Sequence, residues 1–230
     1  MNPVEIAVLS LLGGVLGLDV VSFPQALLSR PIVAATLGAA ILGAPERGVM
    51  LGATLECFAL ETLPVGASRY PEWGSSSVVA AAVIASGPPT APWGGALLMG
   101  VLVALAWSWV GGWSMVQLRR LNAAWASARH EAVASGSRRT VVGLQLFGMT
   151  ADLLRGVLMT AIGCALFIPL SRFVLQRWSF SDTASIAFVV ALAGIVAAGA
   201  VHKAFHATPG ARWLLVAGLV IGAALLGVIR

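Results

Sequence analysis

Residues 29–72 read SRPIVAATLGAAILGAPERGVMLGATLECFALETLPVGASRYPE, and their punctuation decides the fold. Two apolar runs, residues 32–42 and 49–60, are each too short to cross a hydrocarbon layer of ~30 Å as one continuous helix. Gly43, Pro45 and Gly48 separate the runs as a polar turn over residues 44–48, while Pro64 and Gly66 end the second. Glu56 lies inside that second run with no charge beside it. A carboxylate at membrane depth is tolerated where it faces a bundle interior or an aqueous cavity. Interrupted short helices around such a group mark a transport site. Glu56 and Glu61 would project about 140° apart on a regular helix, so one site cannot receive both unless the helix breaks.

Outside this stretch the composition fixes the class. Of 230 residues 59% are hydrophobic and only 10% charged, with a mean hydropathy of +0.93, which places the chain among integral membrane proteins. The formal charge of +5 does not point to nucleic acid, because the arginines are spread through loops between apolar segments and make no basic face. Cys57 and Cys164 both lie in apolar runs, so a disulfide framework or a metal cluster has no support. His202 and His206 are four apart without a third ligand, so no metal site and no cofactor is expected. Glu5 precedes the first apolar run and no basic leader region is present, so the N-terminal segment is expected to remain in the membrane.

Taken in order, residues 4–28 begin as an apolar helix whose Gly13, Gly14 and Gly17 offer a close-packing face, then meet Asp19, Pro24 and Gln25. Asp19 is a second carboxylate at membrane depth, read either as a helix-end acid or as a site residue. Arg30 reads as an interfacial anchor or an ion-pair partner. Gly48 and Gly52 repeat the small-residue spacing and are expected to pack the hairpin against a helix of the same core. Arg69, Tyr70, Glu72 and Trp73 suit an interface or cavity mouth. Residues 75–86 form a further short apolar segment, residues 93–118 a full span, and Trp107, Trp109 and Trp113 an aromatic belt near its end. Five arginines against Glu131 in residues 119–139 predict a cytoplasmic stretch. Asp152 and Arg155, three apart in the apolar segment 141–170, are placed to neutralise each other. Apolar segments 186–201 and 213–229 complete the chain.

The expected fold is an all-α, polytopic membrane bundle with short interrupted or re-entrant hairpins in its N-terminal half and an elevator-like architecture. It divides into a hairpin-bearing region 1–118, a basic cytoplasmic loop 119–140 and C-terminal helices 141–230, all within one membrane domain.

The first third resembles the enzyme IIC permease subunit of the mannose, fructose and sorbose family of the bacterial phosphotransferase system. The resemblance is carried by Arg30-Pro31 and the IVAATLGAAILG run after it, by Gly48, by MLGATLE ending at Glu56, and by PVGA at residues 64–67. Glu61 and Glu72 stand where family members usually carry glycine and aspartate. The resemblance implies a subunit of the cytoplasmic (inner) membrane that pairs with a membrane IID subunit. It would translocate a sugar that a IIB domain, fed by IIA, phosphorylates. Alone it would not be an enzyme, and a higher oligomer is compatible with it. A sugar site is expected at Glu56, whose carboxylate can accept hydrogen bonds from adjacent hydroxyls, with Asp19 and Gln25 beside it. Arg30, Glu61, Pro64 and Gly66 are candidates for the site or its support. The competing reading is a membrane sensor or assembly subunit that keeps the fold without transporting, with Glu56 paired to Arg30 for structure alone.

Overall fold

The computed structural model describes residues 1–20, 22–60, 69–205 and 209–229. Glu61, Pro64 and Gly66, with the PVGA turn, and His206 lie outside the described residues. Among those described, all regular structure is helical. Three helices, Trp93–Ser127, Arg138–Leu175 and Asp182–Phe205, are long and apolar enough to cross a membrane. The fold is a polytopic helical membrane bundle.

Helix α1 (Pro3–Asp19) starts where Asn2 Oδ1 accepts from the Glu5 amide at 2.8 Å and the Glu5 carboxylate accepts from the Asn2 amide at 2.9 Å. It stops at Asp19, where the segment turns polar, and residues 22–30 form an irregular loop ahead of Pro31. The interrupted pair follows as α2 (Pro31–Ile41) and α3 (Pro45–Ala59). Each begins with proline in its first turn, where the missing amide hydrogen leaves no bond unmade. Gly43, at φ +73°, makes the left-handed step that ends α2. The expected turn over residues 44–48 is therefore shorter, because Pro45 starts a helix as readily as it ends one.

Helix α4 (Trp73–Ala85) is buried from Trp73 to Ile84, on every face. Its serines, alanines and valines let five neighbours, α1, α2, α3, α5 (Trp93–Ser127) and α7 (Arg138–Leu175), approach it. In the basic stretch 119–140, α5 continues to Ser127 and α7 begins at Arg138, with only the single turn α6 (His130–Ala134) between them. Helices α8 (Asp182–Phe205) and α9 (Ala211–Ile229) complete the chain, α9 packing on α8.

The glycines of α1 act as expected. A Cβ on Gly13 would lie 1.9 Å from Thr160 Oγ1, and one on Gly14 would lie 2.6 Å from Val157, so α1 lies directly against α7. Trp107 departs from the expected belt: it is buried, donates from Nε1 to the Met159 carbonyl at 3.1 Å, and meets Phe167 edge-on at 5.4 Å. Only Trp109 and Trp113 of the three are exposed. Leu154, Leu158, Ile162, Leu166 and Leu170 form an exposed stripe at every fourth residue of α7, as a lipid-facing surface requires.

Candidate functional site

The end of α1, the start of α2 and the start of α4 converge on one cavity of about 380 Å³. Its lining includes Asp19, Gln25, Ser29, Arg30, Tyr70 and Trp73. Helices that stop inside a bundle leave backbone donors and acceptors without helical partners, and these must be met by side chains, water or substrate. Here the side chains are visible.

Asp19 is buried and clamps the loop that follows it: its Oδ1 accepts from the Ala26 amide at 2.7 Å and its Oδ2 from the Ser29 amide at 2.9 Å. Those bonds hold a loop in which Gln25 and Leu27 take positive φ values of 58° and 62°, conformations that side-chain-bearing residues adopt only when their surroundings enforce them. The other end of the loop is tied to α7 by the Ser22 hydroxyl, which donates to Asp152 Oδ2 at 2.7 Å.

Glu56, near the end of α3, binds across the hairpin. It forms an ion pair with Arg30 through Nη2 and Oε2, and its Oε1 accepts from the Ile32 amide at 3.1 Å in the first turn of α2. The carboxylate thus sits at the positive end of α2 and is linked to the cavity through Arg30. Gly48 and Gly52 do not pack against another core helix, as the spacing alone predicts. They join the two arms of the hairpin: a Cβ on Gly48 would lie 2.6 Å from the Ala35 carbonyl, and one on Gly52 would lie 2.6 Å from Ile32 Cα. Residues this close leave no room for a third helix. Of the hairpin's glycines it is Gly38 of α2 that meets a core helix, where its Cβ would lie 3.2 Å and 3.3 Å from Ala81 and Val78 of α4.

Tyr70, Glu72 and Trp73, expected at an interface or cavity mouth, are all buried, with Tyr70 and Trp73 in the cavity wall. Glu72 caps α4: its Oε1 accepts from the Ser75 amide at 3.1 Å, its Oε2 accepts from the Ser75 hydroxyl, and its own amide donates to the Ser108 carbonyl at 2.9 Å. A glutamate three residues before a serine that opens an apolar run is a readable capping signal. Its depth is not readable, because distant elements enclose it: a Cβ on Gly111 of α5 would come within 2.8 Å of Glu72 Cβ, and one on Gly17 of α1 within 3.9 Å of its Oε1. Behind the cavity, Arg155 Nε meets Asp152 Oδ1 at 3.0 Å and its Nη1 donates to Ser114 at 3.1 Å. The spacing of that pair was legible, and its partners on other elements were not. Arg119 lies over the Tyr70 ring at 5.0 Å. Among the described residues no cluster of histidine, cysteine or carboxylate side chains could hold a metal ion.

Residues 3–177 match the family model described as the sorbose-specific IIC component of the PTS system. The chain belongs to this family. This IIC-family chain is 30% identical over 139 residues to the sorbose-specific EIIC component of Klebsiella pneumoniae, covering 60% of this chain and 50% of that protein. It is 24% identical over 140 residues to the component of the same name from Lacticaseibacillus casei, covering 61% and 48% respectively. The match therefore spans about half the length of these curated relatives. Two solved structures share the fold of the IIC chain across its whole length. One, described only as the structure of a membrane protein, has a TM-score of 0.76 at 17% identity and is covered to 92%. The other, a chain from the complex of the mannose transporter ManYZ with microcin E492, has a TM-score of 0.61, also at 17% identity and 92% coverage.

Proposed function

We propose that this IIC-family chain is the permease subunit of a mannose-type phosphotransferase system, carrying a sugar across the bacterial cytoplasmic membrane through the cavity at the ends of α1, α2 and α4. The observation that carries the reading is the ion pair of Glu56 with Arg30, a residue that lines this cavity together with Asp19 and Gln25. Arg30 donates and Glu56 accepts, so a sugar entering between them finds both complements of a hydroxyl group. Asp19 has each oxygen committed to a loop amide and supports the cavity wall. Gln25 and Ser29 offer a neutral amide and a hydroxyl, and Tyr70 and Trp73 supply flat aromatic surface of the kind that sugar rings stack on.

Phosphorylation requires a donor, and this role falls to separate IIA and IIB components, with a membrane IID subunit as partner. The chain itself is a transport subunit, catalytically incomplete alone. The α2–α3 hairpin, closed by Gly48, Gly52 and the Arg30–Glu56 pair, is the element that moves as one body in an elevator-like cycle. The deciding experiment is sugar uptake in cells that supply IIA, IIB and IID. Glu56→Gln should take up sugar at least about tenfold more slowly than the parent chain, as loss of a charged acceptor predicts. Normal rate and affinity in that variant, at normal membrane abundance, would remove Glu56 from the site.

A further inference from the structure

A second concave site lies away from the sugar cavity, where the C-terminal turns of α5 face the first turns of α7. It encloses about 490 Å³ and is lined by Trp125, Arg129, Arg139, Thr140, Leu144 and Phe147. Its floor is apolar, with Trp125 and Phe147 in contact edge to face. Its rim carries two exposed guanidinium groups. Arg129 commits one nitrogen to the Trp125 carbonyl at 3.4 Å, and that leaves its other donors for a ligand.

We propose that this site holds the headgroup of an anionic phospholipid, with Arg129 and Arg139 on the phosphate and an acyl chain along Leu144 and Phe147. Three observations favour lipid over an acidic protein surface. The local charge is one-sided: Arg119, Arg120, Arg129, Arg138 and Arg139 are opposed only by Glu131 within residues 119–139. The same end of the α5–α7 pair exposes Val133, Val141, Val142 and Leu146 to its surroundings. Arginine interleaved with exposed aliphatic side chains suits the boundary between headgroups and acyl chains, where both needs are met at once. Length agrees with that depth. At 35 and 38 residues, α5 and α7 extend roughly 52 and 57 Å, well beyond a hydrocarbon core of ~30 Å, so their joined ends reach past it. The site does not depend on which sugar is carried, or on whether the chain transports at all.

The test uses the full chain in phosphatidylcholine nanodiscs with and without phosphatidylglycerol, scoring the lipid retained after mild detergent extraction by native mass spectrometry. The parent chain should retain phosphatidylglycerol in preference to phosphatidylcholine. Arg129→Gln with Arg139→Gln should weaken that retention about thirtyfold, the size expected of two arginines at an anionic surface. Arg177→Gln with Lys203→Gln, which removes the same charge elsewhere, should leave it intact. Equal loss in both double variants would overturn the proposal in favour of diffuse charge attraction. Full displacement of the lipid by millimolar inorganic phosphate would overturn it in favour of a free-anion site, and absence of any preference for phosphatidylglycerol would overturn it outright. If the double variant fails to fold, Arg139→Gln alone, at an exposed position, should weaken retention about fivefold, and unchanged retention there would equally refute the site.

Discussion

Arg30 and Glu56, 26 residues apart in sequence, close the α2–α3 hairpin at its cavity end through a direct ion pair. The pair is partly exposed, at 32% and 19% of the two side chains, so it is neither a sealed structural bridge nor a free surface contact. Its geometry makes two roles separable. If the pair only holds the hairpin, exchanging the charges by Arg30→Glu with Glu56→Arg should restore both membrane abundance and uptake. For a sugar site the exchange should restore abundance alone, since the acceptor now sits where the donor stood. Either single change is expected to cost about 1–3 kcal/mol, read as a lower unfolding temperature in detergent.

The glycines of the hairpin give a prediction graded by space. At Gly48 and Gly52 even alanine would place its Cβ 2.6 Å from the facing helix, and such overpacking costs about 1–3 kcal/mol. Gly52→Leu should splay the arms and abolish uptake with Glu56 intact. Gly199 of α8 has open space around it, and Gly199→Ala should leave the unfolding temperature unchanged or slightly raised.

Asp152 and Arg155 are side chains 1% and 9% exposed within the bundle. Removing one charge leaves the other uncompensated, which typically costs about 3–5 kcal/mol. Asp152→Asn and Arg155→Met should each lower the unfolding temperature strongly, and the double variant should recover a large part of the loss. Strict additivity in that cycle would show that the two charges do not depend on each other.

The five arginines of residues 119–139 predict that this side of the bundle faces the cytoplasm. Ser135 is exposed between α6 and α7, so a cysteine there is well placed to report. Cys164 is buried but Cys57 is only partly so, which makes Cys57→Ser the proper background. Ser135→Cys in that background should resist an impermeant thiol reagent on intact cells and react fully once the cells are opened. Rapid labelling of intact cells would invert the orientation.

Motion of the hairpin is testable at α8, because among the described residues α3 packs on α8 and not on the final helix α9. A crosslink from the hairpin to residues 213–229 has no contact to build on among the described residues. A reversible disulfide between α3 and α8 should stop uptake when closed and release it when reduced. Full uptake with the link closed would show a static hairpin.

The sequence by itself determined the class, the breaks and the family. Pro31, Gly43 and Pro45 set helix ends through constraints that lie within a residue or two of each. The hydrophobicity that puts the chain in a membrane is a sum over residues and needs no fold. Asp152 and Arg155 were legible as a pair because one helical turn fixes their separation. What only the tertiary structure decided are the meetings between distant segments: that Glu56 reaches Arg30, that Gly48 and Gly52 face α2, that Trp107 turns inward to Met159, and that Glu72 is sealed in by α5. Asp19 could be read as a helix-end acid or a site residue, and the fold shows it holding the loop that shapes the cavity. The physical reason is common to all of these. Periodicity states which face of a helix is apolar or small, but in a membrane several faces of a short helix qualify at once. The choice among them is made by packing between helices that the chain brings together from far apart.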